Sequence, residues 1–373
     1  MKVWLVAILL LCACKYVYAL PKGEGDFKEY IEETGFSGIF FAAHNEKIIY
    51  NMPYGLANRE LKTNFNANSV FHIGSITKQF IAAAILRLSE QQKLRLDDTL
   101  PLYFTSVPAD KRAITLHQLL THSAGFSHST GPVYELVNEQ AFISRALKSP
   151  LLFKPSTQHH HSNIGFGLLA LIVEKVSGQG YEEFVRGSIL LPAGLNETGY
   201  RLIGRKEANL VINYVKTTNI VEQLFSLTPS YKALGHSLQH FYESLGKRWN
   251  VEGSLGYLST VHDIYQWYLA IRSQQVLTPH SWSLILAEQQ SASWRTGGVQ
   301  YGYGWVADKA ANGEPRLFHK SISEETFAML SYYPESDVFI FVVANYRDKQ
   351  LEEIASAFNE AILETVKISN QSN

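Results

Sequence analysis

Cysteine is nearly missing from this chain of 373 residues: there are two, Cys12 and Cys14, both in the first apolar stretch. Beyond that stretch no thiol is available for a disulfide, a zinc cage or a nucleophile, so stability falls to the core and nucleophilic chemistry to hydroxyls or amines. An excess of one charge is missing too: 33 Lys and Arg stand against 34 Asp and Glu, a net charge of −1. No run of Lys or Arg makes a basic patch, so neither nucleic acid nor an anionic membrane surface is expected as a partner. There is no internal repeat, no low-complexity linker and no His-Glu-x-x-His pattern. What is present is a large apolar fraction, 46%, with 20 Phe and 20 Tyr, enough to bury a sizeable core.

The one strongly apolar run is at the start. Lys2, then "VWLVAILLLCAC", then "VYA" ending at Ala19 read as a secretory signal with a cleavage site after small residues. That predicts an exported protein, periplasmic or extracellular, whose mature chain lacks cysteine and a transmembrane helix. "LCAC" offers a second reading, a lipid anchor on Cys14. Residues 20–373 are then expected to form a single domain.

Along that domain the texture changes twice. "FSGIFFAAHNEKIIYNMPYGLANRE" reads as two strands joined at His44–Glu46. Ile76, Phe80, Ala84 and Leu88 recur at every fourth position and predict a helix, stopped in the Leu94–Leu100 region. The stretch of about 105–294 reads as helix and loop, including "NIGFGLLALIVEKVSG", closed by Gly178. From about 295 strands return, in "GYGWVAD", "RLFHKS", "TFAMLSYYPES" and "DVFIFVVANY", before a last helical segment. Strands at both ends around a helical middle predict an α+β fold. One antiparallel sheet is built from about 20–104 and 295–373, with a helical subdomain inserted.

The chemistry-bearing pattern is Ser75-Ile76-Thr77-Lys78. Residues three apart share a helix face, so hydroxyl and amine come within hydrogen-bond reach. At a helix start the Ser75 N–H is free to meet an oxyanion, and burial with the helix dipole lowers the lysine pKa, making a neutral amine available as base. Ser244-Leu245-Gly246-Lys247 has the same spacing and serves as a control. It carries Gly in its middle, no apolar helical stripe follows it, and it reads as loop.

"SVFHIGSITKQFIAAAILRLSEQQKLRLDDTL", "ITLHQLLTHSAGF", "IGFGLLALIVEKVSG", "LGYLSTVHDIYQW" and "YGYGWV" follow one another in this order. In that order they resemble the serine β-lactamase-related family, which holds class C β-lactamases, D-Ala-D-Ala carboxypeptidases, D-aminopeptidases and related esterases. The likeness runs from about residue 35 to 350. It implies the β-lactamase/penicillin-binding-protein fold, an antiparallel sheet flanked by helices plus a helical subdomain. It also implies a site of three elements: Ser-x-x-Lys, Tyr-x-Asn, and a strand with Lys-Thr-Gly or His-x-Gly. The first is Ser75 and Lys78. In the second, Asn163 matches the Asn and His161 holds the tyrosine's place. In the third, His319 stands at the Lys/His position and Ser321 where Gly belongs, with Glu324 and Glu325 beyond. A shifted register, Lys320-Ser321 followed by Ile322, is the alternative.

"QHHHSN" admits three readings. His159 and His160 read as solvated loop. Metal binding would use His159 and His161, which share a face in extended chain while His160 does not. No carboxylate follows at ligand spacing, and His122, in the loose group His117, His122 and His128, matches a buried structural position of the family; no metal or other cofactor is expected. In the third reading His161, titrating near about 6.5, accepts the Ser75 proton and passes it to the leaving group.

The expected chemistry is therefore acyl transfer from a small-molecule or peptide-like amide or ester to Ser75. Lys78 and His161 move the proton, and Asn163 binds the substrate carbonyl or places Lys78. His319 lends hydrogen bonding or charge, Ser321 narrows the cleft, and the oxyanion hole is the N–H of Ser75 with one near Ile322. Because the third element is altered, an esterase or peptidase is expected rather than an efficient β-lactamase. A catalytically impaired relative serving as a binding module is the competing reading.

Overall fold

The computed structural model describes residues 31, 34–133, 135–200, 209–217, 230–235, 248–286, 300–323 and 326–371. The leader-like segment with Cys14, the control Ser244–Lys247, and Glu324 with Glu325 lie outside them. Among the described residues, 37–351 form one compact unit, and 31, 34–36 and 352–371 belong to another.

Fourteen strands are present among the described residues: β1 (Gly38–His44), β2 (Lys47–Tyr54), β3 (Leu56–Asn58), β4 (Thr63–Asn64), β5 (Phe71–His72), β6 (Asn213–Thr217), β7 (Ser230–Gly235), β8 (Leu258–Ser259), β9 (Gln300–Tyr301), β10 (Val306–Lys309), β11 (Pro315–Ile322), β12 (Phe327–Tyr333), β13 (Val338–Ala344) and β14 (Tyr346–Arg347). The helices are α1 (Thr77–Glu90), α2 (Leu116–Leu120), α3 (Glu139–Lys148), α4 (Asn163–Ser177), α5 (Tyr181–Val185), α6 (Val261–Arg272), α7 (Pro279–Leu286) and α8 (Gln350–Gln371).

Seven strands make the main sheet in the order β2-β1-β13-β12-β11-β10-β9, every pair antiparallel. Early and late strands meet at its centre, with Gly38 opposite Ala344 and His44 opposite Val338. Strand β13, Val-Phe-Ile-Phe-Val-Val-Ala, is buried at every position, as a strand covered on both faces must be. The β1–β2 hairpin turns at Asn45 and Glu46, both with positive φ, which matches the right-handed strand twist.

Helix α1 is buried more completely than its apolar stripe predicts: Thr77 through Leu86 and Leu88 are all buried. It packs against α4, α5 and α7, so polar positions such as Lys78 and Gln79 are enclosed as well. It ends at Glu90, ahead of the expected stop, where Gln92 takes a left-handed turn. Helix α4 begins at the Ser162 cap and closes at Gly178, φ 73°, the end that the sequence predicts.

The middle of the chain departs from expectation. It is not only helix and loop: β6 and β7 join β14 in a three-stranded sheet, and β5 pairs with β8. Strands β5, β8 and β14 are two residues long, too short for alternation to reveal them. Helix α8, in part within the second unit, buries Ile354, Phe358, Ala361 and Val366 along one face.

Candidate active site

Ser75 sits in a single 3-10 turn, Gly74–Ile76, at the foot of α1, and is half-buried. The β5–β8 pairing puts it there: Ile73 N–H donates to Tyr257 O at 3.0 Å, and Tyr257 N–H donates to Thr77 Oγ1 at 3.2 Å. The short strand pair thus brings the chain around Ser254 beside the start of the helix.

Lys78, fully buried, holds the centre. Its Nζ lies 3.1 Å from Ser75 Oγ, 2.8 Å from Asn163 Oδ1 and 2.7 Å from Ser254 O. The Asn163 and Ser254 oxygens only accept, so two N–H groups must go to them. Removal of one proton from the ammonium leaves a lone pair toward the remaining partner, the Ser75 hydroxyl, which can then donate. Burial holds the amine well below its ordinary pKa, favouring that neutral form.

The same logic extends along Asn163. With Oδ1 taken by Lys78, its Nδ2 points to His128 Nε2 at 3.4 Å, so that nitrogen accepts. His128 Nδ1 then carries the proton and lies 3.3 Å from His161 O and 3.4 Å from His161 Nδ1. The two imidazoles are stacked, ring centroids 5.3 Å apart. These contacts are long, but their donors and acceptors alternate consistently from Lys78 to His161.

His161 is therefore placed differently from its expected role. Among the described residues no hydrogen bond joins it to Ser75; its Nδ1 accepts from His128, leaving its proton on Nε2. Its pKa is not near 6.5 but well below, because the ring is desolvated and the Lys78 charge opposes protonation.

Behind His161, His122 is buried with φ 55°, accepts the Ser162 N–H on Nδ1 at 3.1 Å and lies 3.0 Å from Tyr301 OH through Nε2. His159 does not behave as solvated loop: it packs edge-on against His122, with centroids 5.6 Å apart, and lies 5.0 Å from the Tyr301 ring. His159 and His161 do share one neighbour, His122, as alternation predicts. Among the described residues no group of three or more metal-ligating side chains converges.

The opposite wall is β11, which is no sheet edge: it runs between β12 and β10. His319 and Ser321 lie on its buried face, and Ile322 is 45% exposed at its end. His319 Nδ1–H donates to Gly304 O at 2.8 Å. Gly304 has φ 78°, and a Cβ there would come within 3.0 Å of Gln79 Cα, so only glycine lets this turn lie against α1. Burial and the Lys78 charge lower the His319 pKa to about 4, so at neutral pH it brings no positive charge to the cleft. Ser321 does more than narrow the cleft. Its Oγ accepts the backbone N–H of Ser75 at 2.9 Å.

Sequence reasoning therefore found Ser75, Lys78, Asn163, His319 and Ser321 in one place. Ser254, whose main-chain oxygen carries no side-chain signature, is not legible in the sequence, and His128 stands there only as one of the loose group His117, His122 and His128.

Comparison with known proteins bears on family and fold. The Beta-lactamase family model matches residues 24–363. A penicillin-binding protein of Bacillus subtilis (strain 168) is 31% identical over 175 residues, 45% of this chain and 38% of its own length. The matched segment thus spans well under half of that relative. The octameric penicillin-binding protein homologue from Pyrococcus abyssi superposes with a TM-score of 0.76 at 22% identity, over 91% of this chain and 77% of the other. The D-amino acid amidase from Ochrobactrum anthropi SV3 superposes with a TM-score of 0.74 at 16% identity, over 92% and 98%. With the family model spanning nearly the whole chain and the fold repeated in those structures, this protein belongs to the β-lactamase family.

Proposed function

We propose that the protein is an exported serine hydrolase that cleaves an amide or ester through an acyl-enzyme on Ser75, as an esterase or peptidase rather than an efficient β-lactamase. The observation that carries this reading is the buried Lys78 amine, its pKa lowered by desolvation, 3.1 Å from the Ser75 hydroxyl, with its two other contacts to obligate acceptors. Lys78 Nζ takes the hydroxyl proton while Ser75 Oγ attacks the acyl carbon. The oxyanion draws on the N–H of Ser75 and a second N–H near Ile322. The tetrahedral adduct expels its amine or alcohol, which takes the proton from Lys78, and water then releases the acyl group by the same steps.

His161 has a narrower part in this scheme than a base. With Nδ1 accepting from His128, it offers an Nε2–H that suits a leaving-group heteroatom. Asn163 holds Lys78 and is the candidate ligand for a substrate carbonyl. Preference for an amide or ester over a β-lactam rests on the altered strand element. Export rests on the leader-like first 19 residues; among the described residues no helix is long and apolar enough to cross a membrane. The reading as a binding module is favoured by one observation, that Ser321 Oγ already holds the Ser75 N–H.

Labelling separates the two. A fluorescent fluorophosphonate and a fluorescent β-lactam are applied to the full chain and to Ser75→Ala. The hydrolase reading expects a covalent label that vanishes in the variant, fastest with the fluorophosphonate. No label with either probe would favour the binding module.

A further inference from the structure

The first N–H groups of a helix have no partner within it, and here the turn at Ile73–Ile76 uses the Ile76 N–H but not that of Ser75. Ser321 supplies the missing acceptor, at 2.9 Å. Its fit is specific: Gly74 has φ 53°, and a Cβ built there would lie 1.8 Å from Ser321 Oγ and 2.8 Å from Ser321 Cβ. The hydroxyl occupies the notch left by the absent side chain of Gly74, and Ser321 is only 3% exposed. His319, two residues earlier on the same face of β11, is fixed by its bond to Gly304, which holds this stretch of strand toward the turn.

From this we infer that Ser321 is an internal cap on the oxyanion hole, a rate-setting residue for acylation that competes with the substrate for the Ser75 N–H. This rests on the serine-hydrolase reading above and says what limits it. A neutral hydroxyl is a weaker acceptor than an oxyanion, since bonds to ionised partners are the stronger ones. The cap therefore withstands a ground-state carbonyl and yields as negative charge develops on the carbonyl oxygen. Ser321 must rotate out of the Gly74 notch for this to happen. Each acylation has to break one hydrogen bond that a glycine at 321 would not make.

The consequence is opposite in sign to that of an ordinary site residue: loss of Ser321 speeds the reaction. The second-order rate of fluorophosphonate labelling is measured for the wild type, Ser321→Gly and Ser321→Ala, with Ser75→Ala as blank. The expected result is labelling at least about fivefold faster in both Ser321 variants, the scale of one modest hydrogen bond. Equal or slower labelling in both overturns the proposal while leaving the hydrolase reading intact. A readout independent of turnover accompanies it: hydrogen exchange at the Ser75 amide is expected to accelerate at least about tenfold in Ser321→Ala. If no variant labels, the hydrolase reading fails by itself, and unchanged exchange would then remove the cap as well.

Discussion

The two walls of the cleft differ in what their polar groups are turned toward. On the helix wall, Lys78 aims at Ser75 and is held by Asn163 and Ser254, so each bond serves the position of one amine. On the strand wall, His319 is turned back onto Gly304 and Ser321 onto the Ser75 N–H, so both are spent on the protein itself. The helix wall keeps a hydroxyl and an amine in contact, whereas the strand wall's two polar groups are already engaged, one of them by the helix wall itself. An intact Ser-x-x-Lys element thus does not by itself make the opposite face ready for substrate. The largest test of this contrast is Lys78→Met, which keeps an apolar stem in the buried site and removes the amine. Acylation of Ser75 is expected to fall by about a thousandfold or more, since a general base contributes roughly 10²–10⁴. A loss under tenfold, measured by the labelling rate, would mean that the helix wall is no more committed to chemistry than the strand wall.

Each wall also buries a neutral histidine, and the pair sharpens the contrast through stability. His72, three residues before Ser75, and His319 both have pKa values lowered to about 4, His72 by desolvation and His319 by desolvation and the Lys78 charge. In the unfolded chain each takes up a proton near pH 6.5, while in the folded chain neither does until about pH 4. Between those values the unfolded state binds more protons, so stability rises with pH and drains away on acidification, on the order of 3 kcal/mol per histidine. Urea unfolding from pH 7 to pH 4 should show this slope. His72 has no hydrogen-bond partner for either ring nitrogen among the described residues, so His72→Phe should flatten the slope at little cost at pH 7. His319→Phe strips the Gly304 carbonyl of its donor and should flatten the slope while lowering stability at pH 7 by about 1–3 kcal/mol. Equal stability of the two variants at pH 7 would erase the distinction between the walls.

The same contrast explains what could be read in advance. Ser75 and Lys78 are legible because a helix converts a spacing of three into contact. Likewise Gly178 announces the C-terminal end of α4 by cap chemistry. The long apolar strands β1, β12 and β13 declare themselves by composition. The strand wall is legible only as a position. That Ser321 turns into the notch at Gly74 depends on a residue 247 places away in the chain and on a positive φ that no local pattern encodes. His161 shows the same limit. Its place in the second element was clear, but the tautomer that denies it the part of base follows only from the sequence of contacts through His128.

That sequence of contacts carries the smallest effect and joins the helix wall to the histidines beside it. His128 Nε2 accepts from the Asn163 amide, and this keeps Asn163 Oδ1, rather than its amide nitrogen, facing Lys78. His128→Ala frees the amide to flip and to present a donor to a donor, so kcat is expected to fall about tenfold with KM little changed, the cost of one misplaced bond at the base. His128→Gln, whose carbonyl oxygen can accept in place of Nε2, should recover part of that loss. Acid acts on the wild type as the alanine variant does, because a proton on Nε2 turns the acceptor into a donor facing Asn163. Desolvation lowers the His128 pKa, opposed by its bond to the His161 carbonyl and aided by the Lys78 and His160 charges. The acid limb of the rate should therefore lie below pH 6.5 in the wild type and be displaced in His128→Gln. A merely structural His128 would lower the rate without moving that limb, and the helix wall would then end at Asn163.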